Sequence, residues 1–184
     1  MDLTFVSTNA GKFGEVRRIL TEYGVKVRWS RRALPEVQAE RLETVVGAKL
    51  AAAEHIGDRV LVEDSGLFLP SLDGFPGVYS AYAFNTIGLE GVLRLLRGRG
   101  RRATFRTVAG LSIGARRWIR TGECRGRIAD HPRGSHGFGY DPIFIPEGEQ
   151  RTFGQLDLVE KNRRSHRAHA IHRIGRLLRT LDRE

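Results

Sequence analysis

Glu63 and Asp64 stand side by side at the end of the apolar run Arg59-Val60-Leu61-Val62 and are followed by Ser65-Gly66-Leu67. Paired acids held in one place can bind a hard cation, and one of them can take a proton from water. The apolar run is too short for a helix, so it predicts a buried strand that delivers both acids to the rim of a sheet. Ligands of open α/β sheets bind beyond such strand ends. Asp64-Ser65-Gly66 is equally an ordinary turn sequence, and by itself the stretch is compatible with either role. Glu36, in the extended segment Leu34-Pro35-Glu36-Val37-Gln38, is a further acid whose default is solvation.

Cations complement these acids. Of 31 Lys plus Arg residues only Lys12, Lys26, Lys49 and Lys161 are lysine. A chain so biased toward arginine raises the question of whether each retained lysine is needed as a compact ammonium. The bias itself fits genome composition or a hot habitat. Lys12 closes the segment Ser7-Thr8-Asn9-Ala10-Gly11-Lys12, which joins the alternating Leu3 and Phe5 of a predicted strand to a helix carrying Phe13, Val16, Ile19, Leu20 and Tyr23. Strand, tight loop and helix offer an anion backbone N–H groups and the positive end of a helix dipole, and Lys12 adds a full charge. A phosphate site is the inference, with Asn9 as a simple helix cap the alternative. Gly-x4-Gly-Lys-Ser/Thr does not occur. Lys49 falls among Leu42, Val45, Val46, Leu50 and Ala53 of a helix predicted over 41–56, so it is either a stem reaching for the surface or a charge facing a buried anion.

A third group lies between Gly134 and Phe144, where three glycines alternate with Phe138, Tyr140 and Asp141. Such a loop can enclose a flat ligand, since glycine permits close approach and either ring can stack on it. A Gly-rich turn before a strand over 143–145, with the rings packed in the core, is the other reading. Downstream, Leu158-Val159-Glu160-Lys161-Asn162 leads to Ser165-His166-Arg167 at the start of a long helix with the stripe Ile171, Ile174, Leu177, Leu178 and Leu181. Ser165 and His166 make a poor nucleophile and base, because helix neighbours do not face each other.

The remaining elements frame these groups. A second strand is expected over 25–30, a short amphipathic helix over 88–96, and a hairpin from 103–113 and 118–125 turned by Gly114-Ala115. Alternating strands and helices with one antiparallel hairpin give an α/β protein with a mixed sheet. No repeat or linker divides the chain, so a single domain over 1–184 is expected.

Composition narrows the function classes. An apolar fraction of 40% is enough to fold without staples, and one cysteine, Cys124, excludes an intrachain disulfide and a cysteine-rich zinc site. The start Met1 to Val6 lacks a basic, apolar leader and no apolar run approaches the roughly 20 residues of a membrane span, so a cytoplasmic protein without a membrane partner is expected. A net charge of +10 invites a nucleic-acid reading, yet the basic residues are scattered without interleaved aromatic platforms, which favours a solvated surface and no specific nucleic acid.

In order along the chain, Ser-x-Asn-x-x-Lys at Ser7 to Lys12, Leu34-Pro35-Glu36, Val62-Glu63-Asp64-Ser65-Gly66-Leu67, Phe138-Gly139-Tyr140-Asp141-Pro142, and Glu160-Lys161-Asn162 with Ser165-His166-Arg167 resemble the inosine/xanthosine triphosphatase or Ham1-like enzymes. The resemblance spans nearly the whole chain. It implies an α/β fold with a long mixed β-sheet flanked by helices, two lobes around a deep central cleft, and commonly a homodimer. The implied activity is Mg²⁺-dependent hydrolysis of inosine, deoxyinosine or xanthosine triphosphate to the monophosphate and pyrophosphate. By the same carry-over, Ser7, Thr8, Asn9, Ala10, Gly11 and Lys12 bind the triphosphate with Lys49 and Lys161. Glu36 and Asp64 serve the metal, with Glu63 a further acidic neighbour. Asp64 is the catalytic base, and Ser65, Phe138, Gly139, Tyr140, Asp141, His166 and Arg167 line the nucleotide pocket. Val45-Val46 stands where many relatives have Glu-Asn-Ala-x-x-Lys, a departure that bears on Lys49.

The residues suit that chemistry. A triphosphate brings roughly four negative charges, which calls for ammonium groups, helix-terminal amides and a divalent ion held by carboxylates. Hypoxanthine and xanthine present a 6-oxo acceptor where adenine presents an amino donor, so Arg167 or a backbone donor aimed there separates them. Two other classes compete: a phosphate-transfer or nucleotide-sugar enzyme using the same acids, and a basic polynucleotide-binding module.

Overall fold

The computed structural model describes residues 1–183. Strands β1 (Asp2–Val6), β2 (Lys26–Ser30), β3 (Arg59–Phe68), β4 (Pro76–Gly77), β5 (Arg102–Ile113), β6 (Arg116–Ile128) and β7 (Phe144–Pro146) form one sheet in the order β2-β1-β3-β5-β6-β7, with β4 beside β3. The sheet is mixed, as expected. Parallel pairing joins β1 to β2, from Asp2 opposite Lys26 to Val6 opposite Ser30, and joins β1 to β3 through Thr4–Val60 and Phe5–Leu61. Antiparallel pairing joins β4 to β3 and β7 to β6. Among the described residues five α-helices accompany it: α1 (Ala10–Thr21), α2 (Leu42–Ala53), α3 (Ser80–Leu95), α4 (Leu158–Asn162) and α5 (His166–Leu181). Among the described residues none is long and apolar enough to cross a membrane.

The chain forms two compact units. One comprises Met1–Asp64, Thr107–Gly122 and the residues from Arg167 onward; the other comprises Ser65–Arg106 and Glu123–His166. Each has its own core. In the first unit Leu3 and Phe5, two residues apart on β1, point to the same side and pack with Ile19 and Leu20 of α1 and Ile171 and Ile174 of α5, all fully buried. At roughly 1.5–3 kcal/mol for each large side chain removed from water, this stripe fixes both helices on the sheet. The core of the second unit gathers Leu67, Val92, Phe105, Phe144 and Phe153. Cys124 is buried there, and burial pushes its thiol up to about 12.

Two expectations change. The central strand does not stop at Glu63-Asp64 but runs on through Ser65-Gly66 to Phe68. Gly66 is required by close approach, since a Cβ there would strike the carbonyl of Gly77 on β4; its glycine marks a crowded strand, not a turn. The helix expected over 88–96 begins instead at Ser80, as two helical segments meeting at Gly88, whose φ of 62° and ψ of −170° are not helical. Its first half carries exposed Tyr82 and shows little apolar periodicity.

Candidate active site

Adjacent residues of a strand project to opposite faces, and this separates the two acids of β3. Asp64 meets Lys49, whose Nζ lies 2.9 Å from its Oδ1 and 3.0 Å from Oε1 of Glu36. Lys49 is buried on α2. Burial works against its ammonium, but Asp64 and Glu36 outweigh that cost and raise its pKa above the ordinary lysine value. Of the two readings of Lys49, the ammonium faces anions, half-buried Asp64 and exposed Glu36. Glu36, expected to be solvated, keeps an exposed side chain yet contributes to this bridge.

Glu63 has different company. Its carboxylate is fully buried, with Lys12 Nζ 2.6 Å from Oε1 and Arg167 Nε 3.4 Å from Oε2. Arg167 in turn places Nη1 2.5 Å from Oε2 of Glu15. A fully buried charge needs such partners, because stripping its hydration costs several kcal/mol. Glu63, expected as a further acidic neighbour of Glu36 and Asp64, is turned by strand alternation to the lysine and arginine. Among the described residues no three acids, histidines or cysteines form a metal-holding group.

The loop from Ser7 to Lys12 is cap and candidate anion site together. Asn9 is the N-cap of α1, its side chain accepting from the Lys12 N–H at 3.0 Å. Ser7 Oγ accepts from the Asn9 N–H at 3.1 Å. Phe13 N–H to Asn9 carbonyl is the first intrahelical bond, so the amides of Ala10 and Gly11 precede it and remain available to an anion. The loop is tied at its base: Ser7 N–H donates to the Ser30 carbonyl at 3.1 Å, and the indole N–H of Trp29 donates to the Ser7 carbonyl at 2.7 Å.

In the second unit, Lys161 of α4 is buried with Nζ 2.5 Å from Oδ2 of Asp141 and lies 4.9 Å from the centre of the Phe138 ring. Asp141 also accepts the Phe138 N–H at 2.8 Å. This tight wrap explains Gly137, whose φ is 74° and whose Cβ would collide with the Asp141 carboxylate. Tyr140 is committed to the core: its hydroxyl donates to the Ser80 carbonyl at 2.9 Å, its ring meets Phe84 edge-on, and burial pushes its pKa up to about 12. Phe138 is half-buried. His166 is buried and stacked on Phe105, with ring centres 4.4 Å apart and planes 10° apart. Ser65 sits half-buried on β3, covalently next to Asp64.

Residues 3–176 match the sequence model of the Ham1 family. The chain belongs to the Ham1 family. A dITP/XTP pyrophosphatase of Methanopyrus kandleri is 51% identical to it over 170 residues, 90% of each chain. One from Pyrococcus horikoshii is 45% identical over 168 residues, again 90% of each. The structure of a HAM1 protein from Coxiella burnetii superposes with a TM-score of 0.80 at 31% identity, covering 96% of this chain and 98% of that one.

Two contributors to this Ham1 site escaped the sequence reading. Glu15 falls next to Val16 and four residues before Ile19, inside the buried stripe of α1; a lone carboxylate on a core face was the available signal, since such a charge needs a buried partner. Trp29 gave none, because only the fold brings β2 against the Ser7 loop.

Proposed function

We propose that this chain hydrolyses inosine, deoxyinosine and xanthosine triphosphates to the nucleoside monophosphate and pyrophosphate, removing deaminated purines from the nucleotide pool. Relatives named dITP/XTP pyrophosphatase at 51% and 45% identity over nine-tenths of the chain support this reading. The observation that carries it is the Lys49 bridge between Glu36 and Asp64, with the Lys12 ammonium set against the preceding residue of the same strand.

Two carboxylates converging on one cation are hard oxygen donors that also suit Mg²⁺, which is held by one or two carboxylates together with substrate phosphates and water. Glu36 and Asp64 would hold it. When bound, the ion neutralises phosphate charge and acidifies water. In this reading Lys12 and the Ala10 and Gly11 amides bind phosphate oxygens, and Lys49, kept as an ammonium by its two acids, and Lys161 add positive charge. Asp64 accepts a proton from the attacking water as its oxygen bonds to the α-phosphorus. The bond from that phosphorus to the bridging oxygen breaks, and pyrophosphate leaves with the electron pair. Phe138 offers a face to the purine, and Arg167 or a backbone donor favours a 6-oxo base. The reading extends to a cytoplasmic homodimer, for which sedimentation velocity provides the check.

The test is pyrophosphate release with Mg²⁺ from inosine, xanthosine, adenosine and guanosine triphosphates at equal concentration. Strong preference for the first two supports the proposal. Folded protein that releases nothing from any of them refutes it.

A further inference from the structure

The end of α3 and the segment after it, Arg94 and then Arg97-Gly98-Arg99-Gly100-Arg101, take no part in the candidate active site. In the second unit these four arginines line one open pocket of about 440 Å³, together with Asp130 and His131 from the segment after β6. The intervening glycines, Gly98 with φ 69°, let a tight turn gather the arginines.

Their charge is only partly answered. Arg101 sets Nε 3.0 Å from Oδ1 of Asp130 and donates Nη2 to the Ala129 carbonyl at 3.0 Å, which fixes its guanidinium. Arg99 donates only to a neutral group, the Ser71 carbonyl, at 3.3 Å. Arg94 and Arg97 are exposed, and among the described residues neither has a carboxylate within salt-bridge distance. With Asp130 taken by Arg101, Glu90 is the one other acid of the lining, set against three arginines.

We propose that this pocket binds an oligophosphate anion, supplied either free in solution or as consecutive phosphates of a polynucleotide. Guanidinium forks match phosphate oxygens two at a time, which a scattered set of ammonium groups does not achieve. A volume of about 440 Å³ falls within the roughly 300–1,000 Å³ of small-ligand sites. Arg101 is held by the Ala129 carbonyl and lies at ion-pair distance from Asp130. The pocket shares no residue with the candidate active site, so the inference does not rest on the proposed hydrolysis.

The experiment compares the intact chain with an Arg97→Ser, Arg99→Ser double variant, whose exposed side chains leave both cores untouched. Calorimetric titration with inorganic tripolyphosphate in Mg²⁺-free buffer is expected to show, beside any event at the candidate active site, a second event in the parent that weakens by about tenfold in the variant, as loss of two charge-assisted contacts implies. A twelve-residue oligothymidylate identifies the source. If its binding alone is lost, and the slope of log affinity on log salt falls by roughly 1.4 for two phosphate contacts, the ligand is a polynucleotide backbone. Loss of the second tripolyphosphate event alone identifies a free oligophosphate. Identical titrations of both proteins with both probes overturn the proposal. Pyrophosphate release from inosine triphosphate, read in parallel, stays at the parent rate in the variant; its absence from both proteins counts against the hydrolysis only.

Discussion

A single buried ammonium, that of Lys49, joins Asp64 on β3 to Glu36 in the segment before α2, at 2.9 and 3.0 Å. The contact ties an exposed loop acid to a strand acid and brings both carboxylates to one ammonium.

Asp64→Asn tests the base. The amide oxygen still accepts from Lys49, so the fold and the bridge geometry survive while the proposed proton acceptor and one proposed metal-facing charge disappear. Turnover of inosine triphosphate is expected to fall by at least about 10²–10⁴-fold, the usual contribution of a positioned general base. Circular dichroism should match the parent. Parent-level pyrophosphate release by the variant would remove Asp64 from its role.

Trp29→Phe tests the support of the phosphate loop. The parent indole stacks on Phe13 with ring centres 4.7 Å and planes 9° apart while its N–H holds the Ser7 carbonyl. Phenylalanine keeps a ring on Phe13 but has no donor. Stability should drop by about 1 kcal/mol for the lost hydrogen bond. If the loop binds the phosphates alike in ground state and transition state, as proposed, KM for the triphosphate should rise several-fold with kcat nearly unchanged. An unaltered KM would show that the loop holds its shape without the indole.

How far these features were legible beforehand depended on whether their signal was local. The strand, loop and helix around Lys12 could be read because alternation and helical spacing meet at a capping residue, and the hairpin around Gly114 could be read from its turn. Gly66 misled because glycine enters a strand for two reasons, turning or crowding, and only the carbonyl of Gly77 distinguishes them. Glu63 and Asp64 looked like one unit in the sequence, whereas the period of two along a strand sends them to different partners. The link from Arg167 to Glu15 spans 152 positions, a separation at which no local pattern carries information.

His172 supplies a pH dependence away from the site. Its Nδ1 lies 3.0 Å from the Tyr23 hydroxyl, and desolvation by the surrounding protein holds its pKa below the ordinary 6.5, with Glu22 opposing and Arg176 and His169 adding to the effect. A histidine whose folded pKa is depressed binds its proton more readily when unfolded. Stability is therefore full above about 6.5 and declines as pH falls from there toward the folded value. His172→Gln should flatten that decline, seen as a smaller difference between denaturation midpoints at pH 7.5 and pH 5. An identical pH profile in parent and variant would show that other groups govern it.

Arg167→Ala separates two roles for one side chain. Arg167 is 1% exposed and its guanidinium lies against Glu15 and Glu63, so truncation takes a buried cationic partner from two buried carboxylates. Removing one partner from such a network costs about 3–5 kcal/mol, and the denaturant midpoint should shift accordingly. Adding Glu15→Gln removes one of those charges and should recover part of the loss, which a simple cavity would not do. At a temperature where the single variant remains folded, the ratio of inosine to adenosine triphosphate turnover reads the second role. A ratio collapsing toward one shows that Arg167 also recognises the 6-oxo group. A ratio held at the parent value, beside a large stability loss, confines Arg167 to anchoring Glu63 and moves base recognition to a backbone donor.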